Sequence, residues 1–182
     1  MNVIKTDIEG VVVIEPQVFG DERGYFFESF NAERFFAETG IDVAFVQDNE
    51  SRSKRGVLRG LHFQREPYAQ AKLVRVVQGR VIDVAVDIRP VSPTFGKYVA
   101  TELSGENHRQ MFIPKGFAHG YVVLEDDTVF QYKCDEYYHP ESEAGIAWND
   151  PQIGIEWPLL EDEIIFSDKD RKHPTLKELC EF

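Results

Sequence analysis

Two apolar runs, residues 73–77 and 81–88, stand on either side of Gln78-Gly79-Arg80. Short β-branched segments around a glycine connection this tight read as an antiparallel hairpin. In the second run Ile82, Val84, Val86 and Ile88 fall on one strand face, with Asp83 and Asp87 on the other, because successive side chains alternate. A hairpin of this kind is marginal alone and needs further strands to cover it. Candidates are residues 10–15, 25–30, 57–64, 97–103, 109–113, 120–124 and 128–133. Turn signals separate them: Gly20-Asp21-Glu22-Arg23-Gly24, residues 90–93, Ser104-Gly105-Glu106-Asn107, Pro114-Lys115-Gly116 and Glu125-Asp126-Asp127. Only two short helices are expected. One covers residues 32–39, with Asn31 as N-cap and Gly40 at the exit; the other covers 174–179, with Pro174 in its first turn. Many short strands with little helix predict an all-β jelly-roll barrel with short flanking helices, its interior being the expected ligand site.

At 182 residues, 42% of them apolar, the chain can bury a core without staples, and residues 1–182 are expected to form one domain. Cys134 and Cys180 are too few for a disulfide framework. No cationic segment followed by an apolar run opens the sequence, and no apolar run is long enough to span a bilayer. The expectation is a soluble cytoplasmic protein with no membrane partner. A net charge of −12 argues against nucleic acid, whose binding depends on Lys and Arg against phosphate. A small anionic ligand remains compatible, because a few cations lining a cleft dominate its local field.

The densest chemical signal lies in Val57-Leu58-Arg59-Gly60-Leu61-His62-Phe63-Gln64. Strict alternation would place Leu58, Gly60 and His62 on one face and Arg59, Leu61 and Phe63 on the other. An imidazole and a guanidinium among apolar neighbours must be hydrogen-bonded or paired. A metal reading needs converging ligands, yet Gln64 denies His62 a His-x-His partner. A His62–His119–carboxylate site stays geometrically open, but metal-free acid–base chemistry fits better. Cys134, beside Lys133, reads more simply as a small buried thiol than as a nucleophile. No Gly-x-Ser-x-Gly turn or phosphate-cradling glycine loop is present. His62 is the natural base, since its ordinary pKa lies near operating pH. A carboxylate behind it would fix the tautomer. Lys72 could hold a developing oxyanion, and Tyr132 could act as the acid. Their plainer alternatives are a solvated cation and a core aromatic.

The segment Arg59-Gly60-Leu61-His62-Phe63-Gln64 resembles the signature of the dTDP-4-dehydrorhamnose 3,5-epimerases, metal-free members of the cupin superfamily. The resemblance continues in Gln47-Asp48-Asn49, in Ile113-Pro114-Lys115-Gly116-Phe117-Ala118-His119-Gly120 and in Tyr132-Lys133. It extends through Tyr138-His139-Pro140-Glu141-Ser142-Glu143, Gly145-Ile146-Ala147-Trp148-Asn149-Asp150-Pro151 and Ser167-Asp168-Lys169-Asp170. Each motif is weak alone; in family order along nearly the whole chain they are specific. One small departure is Tyr121, where the family often has Phe.

The resemblance implies a reaction on a dTDP sugar with a ketone at C4. Protons on C3 and C5, both alpha to that ketone, leave to give an enolate and return on the opposite face. No cofactor takes part. By resemblance His62 is the base, Asp170 orients it, Tyr132 is the acid and Lys72 holds the enolate oxygen. The implied binding residues are Arg23, Glu28, Gln47, Asp48, Asn49, Arg59, Lys72, His119, Tyr138, Glu143 and Lys169. Arg23, Arg59 and Lys169 would meet the nucleotide diphosphate, and Tyr138 would stack on thymine. A homodimer with exchanged N-terminal strands is also implied, with Arg23 and Glu28 serving the partner's site. Two other readings keep the same residues: a single-centre epimerase of a related 4-keto sugar, and a barrel that only binds a nucleotide sugar.

Overall fold

A computed structural model describes residues 1–180 of the chain. Its strands are β1 (Asn2–Lys5), β2 (Val12–Glu15), β3 (Phe19–Asp21), β4 (Gly24–Phe26), β5 (Gln47–Ser53), β6 (Leu58–Gln64) and β7 (Lys72–Gln78). They continue as β8 (Arg80–Asp87), β9 (Tyr98–Ser104), β10 (Gln110–Ile113), β11 (Phe117–Val123), β12 (Thr128–Cys134) and β13 (Glu143–Gly145). Two antiparallel sheets, in the orders β1-β2-β10-β7-β12-β5 and β13-β6-β11-β8-β9, face each other as a jelly-roll barrel. β3 and β4 form a separate hairpin. None of the described helices is long and apolar enough to cross a membrane.

Both faces of the sheets are used. Between them lies an apolar core that includes Val74, Val76, Val81, Ala85, Met111 and Phe130. The outer face of the five-stranded sheet packs Leu61, Val84, Val86 and Ala118 under Ile146, Ile153 and Leu176 from the C-terminal segment. The outer face of the six-stranded sheet is covered by Phe35 of helix α1 (Ala32–Thr39), against Val12, Leu73 and Phe112. The apolar stripe of β8 thus points outward, into a covered layer, and its polar face points into the barrel.

Helix α1 keeps its expected boundaries. The Asn31 side chain accepts from the Arg34 N–H at 3.0 Å, and Gly40, in the left-handed region at φ 72°, donates to the Phe36 carbonyl. The second helix differs: α2 runs Leu176–Cys180, starting later than residue 174. Thr175 is its cap, accepting from the Glu178 N–H at 3.3 Å while Glu178 accepts from the Thr175 N–H at 2.8 Å. This reciprocal pair overrides the first-turn preference of Pro174.

Four strands carry no clear sequence signal: β1, β3, β5 and β13. β5, Gln-Asp-Asn-Glu-Ser-Arg-Ser, has no apolar residue, and its alternation is polar inside and polar outside. The strand expected over 25–30 stops at Phe26.

The largest correction concerns β6. His62 pairs with His119 and Arg59 with Tyr121, so two steps on β11 match three on β6. The extra residue is a β-bulge. Because His119 and Tyr121 share a face, His62 and Arg59 share it too, against the alternation read from sequence. Both point into the barrel. The bulge needs Gly60, which has φ +128° and brings its Cα so close to β11 that a Cβ would lie 2.6 Å from the Gly120 Cα. Gly60→Ala should therefore cost more than about 2 kcal/mol in urea unfolding. Gly20→Ala, whose Cβ meets nothing closer than 3.8 Å, should stay within about 0.5 kcal/mol.

Candidate active site

The barrel interior collects polar groups from five strands and one segment beyond the sheets. His62 Nε2 lies 2.5 Å from Oδ1 of Asp170, which opens a 3-10 turn, Asp170–Lys172, after the barrel strands. The other carboxylate oxygen accepts from Ser167 Oγ at 2.8 Å, and the Ser167 oxygen accepts from the Asp170 N–H at 3.1 Å. Burial alone would push the Asp170 carboxyl up, but hydrogen bonds from His62 and Ser167 outweigh it and hold it below its ordinary value. With Asp170 ionised, Nε2–H of His62 donates to it and the lone pair rests on Nδ1. The imidazole side chain remains 29% exposed against 5% for Asp170, so the imidazole is open to solvent and its carboxylate is not.

A second histidine–carboxylate pair stands across the strand. His119 Nε2 is 3.0 Å from both oxygens of Asp83, which is fully buried on β8 beside the position of Tyr121. Burial pushes the Asp83 carboxyl up, against the pull of His119 and Lys72. Lys72 is pushed the opposite way by burial, with Cys134, Asp83 and Glu143 restoring part of the loss. Lys72 and Cys134 are paired across β7 and β12, and Tyr132 is paired with Val74. The Lys72 ammonium sits 5.9 Å from the centre of the Tyr132 ring. Burial raises the Tyr132 phenol above its ordinary value, so it is protonated and able to donate at neutral pH.

The remaining predicted residues divide into four groups. Arg59 donates to Ser53 Oγ at 3.2 Å and has no carboxylate partner among the described residues. Glu143 is paired with Lys169 and accepts from the Tyr138 hydroxyl at 2.7 Å. Gln47 accepts from the Tyr138 N–H and donates to Asn49 at 3.1 Å, joining β5 to this rim. Asp48, by contrast, points away from Gln47 and Asn49 and pairs with Lys133 at 3.0 Å. Among the described residues, Arg23 and Glu28 bond only to neighbours in the N-terminal segment, Arg23 to Asp21 and Glu28 to Asn31 and Arg34. The single chain does not bring these two to His62. Cys134 is buried and its thiol is pushed up to about 11 by burial, as suits a packed thiol. Lys133, its neighbour in sequence, belongs to the opposite face.

Sequence reasoning missed Asp83, Ser53 and Ser167. Asp83 had a signal, since a lone carboxylate within an apolar strand demands a partner. The two serines had none, because a single hydroxyl on a strand or turn is unremarkable.

This geometry defines a class: a jelly-roll barrel whose interior holds an oriented imidazole, a buried ammonium and a protonated phenol. Such a set can remove and return a proton beside a carbonyl. Comparison with known proteins agrees. The profile of the dTDP-4-dehydrorhamnose 3,5-epimerase family matches residues 5–178. The Escherichia coli K12 dTDP-4-dehydrorhamnose 3,5-epimerase is 59% identical over 98% of this chain and 96% of its own length. The crystal structure of the enzyme of that name from Elizabethkingia anophelis has a TM-score of 0.94 at 50% identity, covering 98% of this chain and 97% of that one. The Legionella pneumophila dTDP-6-deoxy-D-glucose-3,5-epimerase, solved with dTDP-4-keto-L-rhamnose, has a TM-score of 0.93 at 55% identity, covering 97% and 93%. The chain belongs to the dTDP-4-dehydrorhamnose 3,5-epimerase family.

The depressed Asp170 carboxyl has a stability consequence. Its folded pKa lies below the unfolded one, so its contribution is present above about pH 4 and is lost as pH falls through the folded value. Urea unfolding should show a wild-type advantage over Asp170→Asn at pH 7 that shrinks at pH 3. A constant gap would mean that Asp170 contributes through packing rather than charge.

Proposed function

We propose that this protein inverts C3 and C5 of dTDP-4-dehydro-6-deoxy-D-glucose, without a cofactor, in dTDP-L-rhamnose biosynthesis. The observation that carries the mechanism is the His62–Asp170 contact, which orients an imidazole on the inward face of the barrel, the face that Lys72 and Tyr132 also occupy. His62 takes the proton alpha to the C4 ketone. Asp170 stabilises the imidazolium that forms, and the Lys72 ammonium stabilises charge on the enolate oxygen. Tyr132 returns a proton to the opposite face. In this reading His119 contacts the sugar while Asp83 balances both it and Lys72. Arg59 and Lys169 meet the diphosphate, and Gln47, Asn49 and Glu143 complete the rim around Tyr138, whose half-exposed ring stacks on thymine.

The same proposal includes a cytoplasmic homodimer in which each single-domain chain lends its N-terminal segment to the other. Phe19, Tyr25 and Phe26 of the β3–β4 hairpin are 57%, 60% and 70% exposed, an apolar patch that isolated solvation does not favour. The Arg23 side chain on that hairpin is 86% exposed. Exchange would cover the aromatics and deliver Arg23, Glu28 and the outward-facing Asp48 to shared ligand contacts. Phe26→Asp should then halve the particle mass in light scattering and lower turnover. A dimer with full activity would separate the hairpin from both assembly and catalysis.

Deuterium labelling tests the chemistry. His62→Asn should lose about two to four orders of magnitude in both turnover and solvent exchange. Exchange at the normal rate would remove His62 as base. Tyr132→Phe keeps the ring and its packing, so the enolate still forms, but it recovers its proton from His62 on the original face. In deuterated water this variant should label unepimerised substrate, with a ratio of exchange to inversion above wild type. Inversion at the normal rate would assign the acid to another group. The positions labelled by the wild type, C3 and C5 together or one alone, decide between double and single inversion.

A further inference from the structure

Behind the base lies a third imidazole that the epimerisation mechanism leaves unused. The His173 ring packs edge-on against His62, with centres 5.4 Å apart. Its side chain is only 10% exposed, and its Nε2 is buried with no hydrogen-bond partner. That nitrogen lies 3.6 Å from Oδ1 of Asp170, the same oxygen that His62 holds at 2.5 Å. The ring fits there because residue 145 is glycine: a Cβ at Gly145 would lie 2.5 Å from two atoms of the imidazole. A buried nitrogen without a partner is uncommon and calls for an explanation. Here two imidazole nitrogens and a carboxylate oxygen lie within 4.8 Å of one another.

We propose that His62, Asp170 and His173 form a three-ligand site for a late first-row divalent cation, Zn2+ foremost, whose binding takes the base out of service. Two imidazoles and one carboxylate suit Zn2+, Cu2+ or Ni2+ rather than Mg2+ or Ca2+, which prefer oxygen shells. With metal–ligand bonds of about 2.0–2.2 Å, neighbouring donors in a tetrahedral site stand about 3.3 Å apart. The Asp170–His173 spacing is close to that already. The His62–Asp170 spacing must open by less than 1 Å as the cation replaces the proton between them. The fourth position is left to water, and Lys169, the basic residue next to Asp170 in sequence, is paired with Glu143. With His62 coordinated, the imidazole is no longer free to cycle through its protonated form, so the metal inhibits and is no cofactor. The inhibitory part rests on the reading of His62 as base; the binding part does not.

The test uses the full chain, stripped with EDTA, titrated with Co2+ by visible spectroscopy and with Zn2+ by calorimetry. Wild type should bind one equivalent, with the intense ligand-field bands of a tetrahedral Co2+ site. His173→Asn, His173→Leu and His62→Asn should each weaken binding by at least tenfold. Zn2+ should inhibit epimerisation with the midpoint of its binding curve, EDTA should reverse it, and the His173 variants should be less sensitive relative to their own metal-free rates. Absence of saturable binding in wild type, or an unchanged midpoint in both His173 variants, would overturn the site. Because the Co2+ spectrum needs no turnover, loss of the metal site and loss of the epimerase reading are told apart. Binding without inhibition would refute the shared role of His62, and absence of binding beside an inactive His62→Asn would refute only the metal.

Discussion

The contact between His62 and Asp170 joins residues 108 apart in sequence, and much of the molecule serves to maintain it. Asp170 is fixed from behind by Ser167, and the segment carrying both is pinned to the barrel by apolar contacts. Ile164 packs with Leu58 and Val122, and Leu176 packs with Leu61 and Val84. Asp150 ties the two ends of that cover, accepting from the Leu176 N–H at 2.6 Å and from the Ile153 N–H at 3.0 Å. A short hydrogen bond to an ionised group gains strength from exclusion of water, provided both partners stay in place. The outer apolar layer is therefore part of the active-site apparatus, although none of its side chains enters the cavity.

The chain carries a net charge of −12, yet every carboxylate named in the barrel faces at least one basic group. Asp83 faces His119 and Lys72, Glu143 faces Lys169, and Asp170 faces His62. Arg59 has no carboxylate partner among the described residues and bonds to Ser53 instead. An acidic chain thus keeps a guanidinium free of carboxylates within the barrel, and in a cleft such a group dominates the local field.

The sequence made much of this legible, and the limits have physical causes. The hairpin of β7 and β8 announces itself because both strands carry dense β-branched residues. α1 announces itself through Asn31 and Gly40, which cap by local chemistry. β5 does not, since its side chains are polar on both faces and its place is set by pairing with β12. The shared face of Arg59 and His62 was hidden because a bulge breaks the period of two on which any strand reading rests. Gly60 was the available hint, as a glycine inside an apolar strand often marks a bulge or a close approach. The candidate chemistry could be read from motif resemblance, whereas the distances that join it could not. Arg23 and Glu28 show a further limit: their proposed duty lies on a second copy, and one chain's geometry cannot express it.

The division of labour between barrel and cover also bears on how the protein comes into being. The strands that close the barrel end at Gly145, while Asp170 follows on a segment laid over the finished sheet. Synthesis proceeds from the N-terminus and folding tends to follow it. The residues that carry the imidazole, the ammonium and the phenol are therefore made before Asp170, the carboxylate that completes the set. The contact between His62 and Asp170 thus depends on residues made after every strand of the barrel.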